Sequence, residues 1–188
     1  MFEPCLQVNE VMKHFDGKWF VAGGWAVDLH IGEETREHED IEVAVFREEL
    51  PELSDWLNGW TTYIVDHSRL VEGKVDKSLD EHIHEIHAHR EETKLEVLLN
   101  EKSRDRFKFR RDPEVTFPLN RMNLRSEHGV PYLNPEIVLL YKAKNTKEKD
   151  EQDFQSVFPF LNEQQKEWLK QALIIHQPEH PWLEKLLY

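Results

Sequence analysis

The stretch GGWAVDLHIGEETREHEDIEVAVF, residues 23–46, decides how this chain folds. Its glycine pair follows the apolar run at residues 18–22, which predicts a short buried strand broken by a tight turn. Apolar residues at helical spacing come next, and Gly32 can end that helix in a left-handed conformation. Residues 41–46, IEVAVF, are β-branched and alternating, which predicts a second strand. The stretch therefore predicts strand, turn, helix, loop and strand in that order.

Residues suited to nucleotide chemistry lie at the ends of these elements. Gly23 and Gly24 let backbone N–H groups approach a phosphate closely, and the N-terminus of the following helix favours the anion. Asp40 and Glu42 are two residues apart on a strand, so their carboxylates project from one face and can share a cation. Oxygen ligands of this kind suit Mg²⁺, which can bridge them to phosphates. Arg36 adds a positive charge in the loop between them.

The rest of the chain adds strand patterns before residue 131 and helical patterns after it. Strands are predicted at 61–65, 82–89, 94–99, 107–111 and 115–119, and helices at 5–15, 48–57, 135–144, 148–158, 163–175 and 181–187. Asn162 and Gln165 have the spacing of a capping box at a helix start. A mixed sheet followed by helices is an α+β arrangement. We expect a core over residues 1–130 and a C-terminal helical segment, residues 131–188, packed on it.

Composition and charge exclude several classes of function. The 37 acidic and 24 basic residues give a net charge of −13, which repels phosphate backbones and disfavours a long nucleic-acid partner. No run of about 18 apolar residues is present, so no membrane partner is expected. Cys5 is the single cysteine and the N-terminus does not resemble a secretory signal. We therefore expect a cytoplasmic protein.

Residues 23–46 closely resemble the nucleotide-binding segment of the aminoglycoside 2″-adenylyltransferase-like proteins, within the DNA polymerase β-like nucleotidyltransferase superfamily. The family pattern is Gly-Gly-Trp-(small)-Val-Asp, a Gly, Thr-Arg, His, then Asp-(apolar)-Asp. The residues that fit it are Gly23, Gly24, Trp25, Ala26, Val27, Asp28, Gly32, Thr35, Arg36, His38 and Asp40. The resemblance continues through KLEVLLNE at 94–101 and YKAKNTKEKDEQDF at 141–154, so it spans most of the chain.

This resemblance implies a nucleotidyltransferase-type mixed sheet flanked by helices. It also implies an enzyme that moves a nucleoside monophosphate from a nucleoside triphosphate to a hydroxyl of a small acceptor, with pyrophosphate leaving. Two Mg²⁺ ions are expected in the active complex. The acidic balance of the chain is compatible with an aminoglycoside-like, polycationic acceptor.

The family pattern implies a third carboxylate from a later strand, and Glu96 is our choice. Its neighbours Leu95 and Val97 are expected to point the other way, into apolar packing. In that position Glu96 can ligate a metal ion or take the proton of the acceptor hydroxyl. Glu101 is the competing candidate.

The lysines near the predicted C-terminal helices are candidates for phosphate binding. Lys142, Lys144 and Lys149 lie in a segment that resembles the family's Lys-x-Lys…Lys-Asp element. A lysine ammonium group can reach the β- and γ-phosphates of a nucleotide. Asp150 and Asp153 share a helical face and can orient such a lysine. A solvated, charged helix face is the alternative for each of these residues.

Four histidines, His82, His84, His87 and His89, crowd the strand predicted at 82–89. A zinc site needs three or four ligands in tetrahedral geometry, and no cysteine lies nearby. In a regular strand the first pair faces away from the second pair. We therefore expect solvent-exposed or substrate-cleft histidines rather than a zinc site.

Two alternatives to an enzyme stay open. The second carboxylate of the motif is Glu42 where active family members carry Asp, and the longer side chain makes a catalytically inactive nucleotide-binding or regulatory relative possible. The other alternative is an interaction module that forms a homodimer through its C-terminal helices, which carry Trp168 and Trp182.

Overall fold

Ten strands and seven α-helices make up residues 1–187, the part of the chain that the computed structural model describes. The strands are β1 (Trp19–Ala22), β2 (Glu42–Phe46), β3 (Thr61–Asp66), β4 (Arg69–Glu72), β5 (Glu85–Arg90), β6 (Thr93–Ser103), β7 (Arg106–Lys108), β8 (Thr116–Pro118), β9 (Asn123–Arg125) and β10 (Pro131–Leu133). The helices are α1 (Glu3–Met12), α2 (Gly23–Ile31), α3 (Leu50–Trp56), α4 (Pro135–Lys142), α5 (Glu148–Val157), α6 (Glu163–His176) and α7 (Trp182–Leu186).

The strands form one mixed sheet in the order β4-β3-β5-β6-β2-β1-β10-β9, and β7 joins β8 to the end of β6. Strand β2 lies in the middle of this order, parallel to β6 and antiparallel to β1. Residues 43–46 of β2 are all buried, as expected for apolar residues covered on both faces of a central strand. The α+β arrangement of a mixed sheet flanked by helices is therefore confirmed.

Helix α2 connects the two strands that the opening stretch predicted. Both of its ends depend on glycine, because Gly23 has a φ of 63° and Gly32 has a φ of 94°. The Gly32 N–H donates to the Asp28 carbonyl oxygen at 2.8 Å and ends the helix as predicted. The helix is buried from Trp25 to Leu29, and it packs against α4 and α5. The N-terminus of α2 is thereby held at the end of β1.

The prediction of helices alone after Pro131 is wrong, because β10 adds a strand to the sheet. Tyr132 of β10 pairs with Val21 of β1 in parallel. Strand β4 and strand β9 were also not predicted. Each of these three strands is only three or four residues long, and β4 is exposed throughout, so none shows a hydrophobic period. The strand predicted at 82–89 begins only at Glu85.

The C-terminal helices pack on the core and on one another. The predicted capping box is present: Gln165 N–H donates to the Asn162 side chain at 2.8 Å, and Asn162 N–H donates to the Gln165 side chain at 2.9 Å. Trp182 is 2% exposed and stacks on Phe154, and Trp168 donates to the Thr116 carbonyl oxygen. Both tryptophans suggested for a dimer contact are therefore used within the chain. Among residues 1–187, no helix has the length and apolarity to cross a membrane.

Candidate active site

Glu42 and Glu96 occupy paired positions on the parallel strands β2 and β6. The backbone N–H of Glu96 donates to the carbonyl oxygen of Ile41 at 3.0 Å, which holds this register. Paired residues on neighbouring strands lie about 5 Å apart and face the same side of the sheet. The structure therefore brings the side chains of Glu42 and Glu96 to one side of the sheet, with Asp40 two residues before the start of β2.

These carboxylates are partly buried and repel one another. Burial raises the pKa of Glu96 to about 8, and the negative charges of Glu42, Asp40 and Glu85 add to the rise. Burial also raises the pKa of Glu42, although the positive charge of Lys142 opposes the shift. Burial and neighbouring negative charge thus disfavour ionisation of these acids by more than the nearby lysines, as a source of positive charge, favour it. A divalent cation would supply that charge.

The two glycines of the motif make room for side chains of the site. A Cβ atom on Gly23 would overlap the Glu42 carboxylate, which lies against the glycine backbone. A Cβ atom on Gly24 would overlap the Arg36 guanidinium and the His38 ring. Each glycine thus permits a close approach, but in this structure the approaching groups are protein side chains. The backbone of Gly23 is the part of the motif that lies beside the carboxylates.

A buried aspartate, Asp153, links the two groups of candidate phosphate-binding residues. Its carboxylate accepts two hydrogen bonds from Arg36, at 2.7 Å and 2.9 Å, and the Lys142 ammonium group lies 3.0 Å away. Lys142 also donates to Asp150 at 3.1 Å. Burial opposes ionisation of Asp153, but the Arg36 hydrogen bonds and the Lys142 charge outweigh it and hold the pKa of Asp153 below its usual value. Arg36 and Lys142 are therefore fixed relative to each other, although they are distant in sequence.

The loop that leads to Asp40 is held by a second buried aspartate. Asp28 is fully buried and accepts hydrogen bonds from the Thr35 hydroxyl and from His38 Nε2, the latter at 2.6 Å. The His38 ring also lies against Trp25, with 4.3 Å between ring centroids. These contacts explain why the Trp, Asp, Thr and His of the motif recur together. They position the start of β2 rather than contact a reacting group.

A cavity of about 440 Å³ lies on one side of the carboxylates, and Glu42, Glu85 and Gly23 line it. Six basic side chains also line this cavity: Arg110, Arg111, Lys142, Lys144, Lys147 and Lys149. Asp150, which pairs with Lys142, also lines the cavity, so six cations face three acids. We call it the basic cavity.

Arg110 and Arg111 are the residues of this cavity that the sequence analysis missed, because residues 107–111 were assigned to an edge strand. The observed strand β7 ends at Lys108, and the two arginines follow it. Arg111 donates to the Tyr141 carbonyl oxygen at 3.0 Å. Burial lowers the pKa of Arg110, so the surrounding groups do not fully offset the loss of hydration of this cation. The adjacent arginine pair at the end of the predicted strand was the only signal in the sequence.

A second cavity, of about 570 Å³, lies on the other side of the carboxylates, and we call it the acidic cavity. Four acids line it together with a single lysine, Lys94: Glu39, Asp40, Glu92 and Glu96. Glu42 and Glu85 line the basic cavity, whereas Asp40 and Glu96 line the acidic one. These four residues, which we call the row of acids, therefore form the boundary between the two cavities.

The remaining candidates are placed as follows. The Glu101 carboxylate, the alternative to Glu96, accepts a hydrogen bond from Arg47 Nε at 2.8 Å. His82 lies outside the strands and pairs with Asp66 at 2.7 Å. His84 also precedes β5 and lines the basic cavity. His87 and His89 are on β5 and line the acidic cavity.

Comparison with known proteins identifies the family. The model of the aminoglycoside-2″-adenylyltransferase family matches residues 5–156, which include the glycine motif, the three acids and the lysine segment. None of the curated proteins compared with the chain matches it. The family match therefore rests on the sequence pattern over most of the chain.

Solved structures of antibiotic adenylyltransferases have the same fold at low sequence identity. The lincomycin-bound lincosamide antibiotic adenylyltransferase LnuA is 16% identical, with a TM-score of 0.59 over 86% of this chain and 98% of its own. ANT(2″)-Ia in complex with adenylyl-2″-tobramycin is 15% identical, with a TM-score of 0.59 over 89% of this chain and 95% of its own. The solution structure of ANT(2″)-Ia gives the same identity and TM-score, over 90% of this chain and 89% of its own. The chain thus belongs to the aminoglycoside-2″-adenylyltransferase family and is a nucleotidyltransferase.

Proposed function

We propose that this protein transfers an adenylyl group from ATP to a hydroxyl group of a small acceptor, with divalent metal held at Asp40, Glu42 and Glu96. The observation that carries the proposal is the row of acids between a basic and an acidic cavity. Family membership supports the reaction type. The relatives LnuA and ANT(2″)-Ia were solved with lincomycin and with adenylyl-2″-tobramycin, which supports a small acceptor.

The donor set at the boundary fits Mg²⁺. Asp40, Glu42 and Glu96 offer carboxylate oxygens, the ligands that Mg²⁺ prefers, and burial together with the neighbouring negative charges raises the pKa of Glu96. When bound, two Mg²⁺ ions would neutralise charge on the triphosphate and on the departing pyrophosphate.

The basic cavity is the proposed triphosphate site. Lys144 and Lys149 line it and form no salt bridge within residues 1–187, and Arg110 and Arg111 add two more cations. Gly23 and Gly24 follow β1 and form the first residues of α2, so the N-terminus of this helix lies at the end of the strand. Lys142 also lines the cavity, and Arg36 shares the Asp153 carboxylate with it.

The acidic cavity is the proposed acceptor site. Its four carboxylates and the net charge of −13 favour a cationic acceptor, such as an aminoglycoside, over a long nucleic acid. In the reaction the acceptor oxygen bonds to the α-phosphorus as the bond from that phosphorus to the bridging oxygen breaks, and pyrophosphate leaves. Glu96 lies between the two cavities, where it can take the hydroxyl proton. Most of the catalysis then comes from positioning and from charge neutralisation.

Replacing Asp40 tests this proposal directly. With ATP, Mg²⁺ and a panel of aminoglycosides and other hydroxyl-bearing antibiotics, the wild-type chain should release pyrophosphate. Asp40→Ala should reduce that rate by at least about 100-fold, because a charge-stabilising contact of the transition state is lost. The control is Asp16→Ala, which removes an exposed carboxylate from a turn outside both cavities.

Pyrophosphate release by Asp40→Ala at the wild-type rate would contradict the metal assignment. If the wild-type chain binds ATP in a Mg²⁺-dependent way but releases no pyrophosphate with any acceptor, the inactive nucleotide-binding relative is the better description.

Shortening Glu42 distinguishes an adapted site from a decayed one. The Glu42 carboxylate lies against the Gly23 backbone, so Glu42→Asp withdraws it from the glycine by about one methylene. We expect the rate of pyrophosphate release to fall about tenfold or more, because a misplaced ligand disturbs the reactive geometry. A rise in rate would show that the site has lost activity and that aspartate restores it.

Removing one acid should stabilise the metal-free protein. The pKa of Glu96 in the folded state, about 8, lies above its ordinary value of 4.5, so ionising this side chain costs folding stability as the pH rises from 4.5 through 8. Glu96→Gln removes that cost. In EDTA at pH 8.5 we expect the free energy of unfolding by urea to rise by about 1–2 kcal/mol. This is less than the full pKa shift would give, because solvent screens the charge of the partly exposed carboxylate. At pH 4.5 the variant and the wild type should be nearly equal.

The matched control for this measurement is Glu101→Gln on the same strand. Its carboxylate accepts a hydrogen bond from Arg47, so this change should give no gain in stability. An equal gain in both variants, or no pH dependence for Glu96→Gln, would contradict the account of the row of acids.

A further inference from the structure

His87 lies next to the acids of the site and offers a nitrogen ligand. Its Nε2 atom is 3.3 Å from Glu85 Oε2 and 3.7 Å from Glu96 Oε1. These three atoms all lie within 4.8 Å of one another. Ligand atoms around one ion, at bonds of about 2.1 Å, are separated by about 3 to 4 Å. The spacing of the three atoms therefore fits a shared cation.

The register of the sheet produces this cluster. Glu96 of β6 pairs with Glu42 of β2 on one side and with His87 of β5 on the other. Glu42, Glu96 and His87 thus form one row across three neighbouring strands. Glu85 precedes His87 by two residues on β5 and shares its face of the sheet. The row that begins with the candidate metal ligands consequently ends with an imidazole.

The side chain of His87 is also accessible to an ion from solution. It is 27% exposed and lines the acidic cavity, together with Asp40 and Glu96. The imidazole has no hydrogen-bond partner among the described residues other than these neighbouring carboxylates. No salt bridge from a lysine or arginine to Glu85 or Glu96 is present among residues 1–187. A cation that binds here would meet two carboxylates and one nitrogen.

We propose that His87, with Glu85 and Glu96, is a ligand of the second divalent ion of this site, and that its nitrogen makes this position select Mn²⁺ over Mg²⁺. The proposal rests on the metal-dependent transfer proposed above. Mg²⁺ prefers oxygen ligands alone, whereas Mn²⁺, which shares the preference for carboxylates and is the weakest binder of the first-row divalent metals, also accepts an imidazole ligand. A position with one nitrogen and two carboxylates therefore favours Mn²⁺ more than the all-oxygen position at Asp40 and Glu42 does.

The test is a titration of the nucleotide-free protein with Mn²⁺, followed by electron paramagnetic resonance, and then a competition with Mg²⁺. His87→Ala should weaken Mn²⁺ binding about tenfold or more, while Mg²⁺ affinity falls much less. Spin-echo spectra of bound Mn²⁺ should show coupling to a coordinated nitrogen in the wild type and none in the variant. His87→Gln serves as a second variant of similar size, and thermal unfolding in EDTA checks that both are folded.

The matched control is His89→Ala, two residues along β5 on the same face. His89 stacks on Tyr63 and is not part of the cluster, so this change should leave Mn²⁺ affinity and the nitrogen coupling as in the wild type. Equal Mn²⁺ to Mg²⁺ selectivity in the wild type and His87→Ala, or no nitrogen coupling in the wild type, would overturn the proposal.

The outcome for Asp40→Ala separates this proposal from the proposed function. If Asp40→Ala abolishes transfer while His87→Ala keeps wild-type Mn²⁺ selectivity, only the role of His87 fails. If Asp40→Ala transfers the adenylyl group at the wild-type rate, the metal assignment within the proposed function fails, whatever the Mn²⁺ titration gives.

Discussion

The parallel pairing of β2 with β6 places the Glu42 carboxylate beside that of Glu96, and the rest of the site depends on this contact. Burial raises the pKa of Glu96, and the negative charge of Glu42 adds to the rise, so ionisation of both carboxylates in this position is unfavourable. The fold tolerates this repulsion because the surrounding strand residues are well packed: Val43, Val45, Val97 and Leu99 are almost fully buried. Strong apolar packing thus supports a pair of acids that on its own would destabilise the sheet.

Positive charge is arranged around this pair without neutralising it. Lys142 is held by Asp150 and Asp153, and the latter also binds Arg36, so these cations are positioned by other acids rather than by Glu42 or Glu96. The separation leaves a negative boundary between a basic cavity and an acidic one. In the proposed function, an anionic triphosphate and a cationic acceptor would each bind in a cavity of complementary charge and would meet at that boundary.

The sequence predicts the local part of this arrangement and not the part set by distant pairing. Residues 23–46 predict strand, helix and strand correctly, because glycine conformation and apolar spacing are local properties. Leu95 and Val97 are buried as predicted, which leaves Glu96 on the other face. The positions of His87 and Arg110 near the row of acids could not be predicted. The position of His87 depends on the register of β5 with β6, and that of Arg110 depends on the turn after β7. Strand β10 is too short to carry a period, so its place beside β1 was also missed.

The central claim is that the row of acids holds the metal ions of a nucleotide bound in the basic cavity. A crystal structure with Mn²⁺ or Mg²⁺ and an ATP analogue that resists cleavage between its α- and β-phosphates tests it most directly. We expect metal density within bonding distance of Asp40, Glu42 and Glu96, and the triphosphate beside Gly23 among the lysines and arginines of the basic cavity. A nucleotide bound elsewhere, with no metal at these carboxylates, would contradict the account.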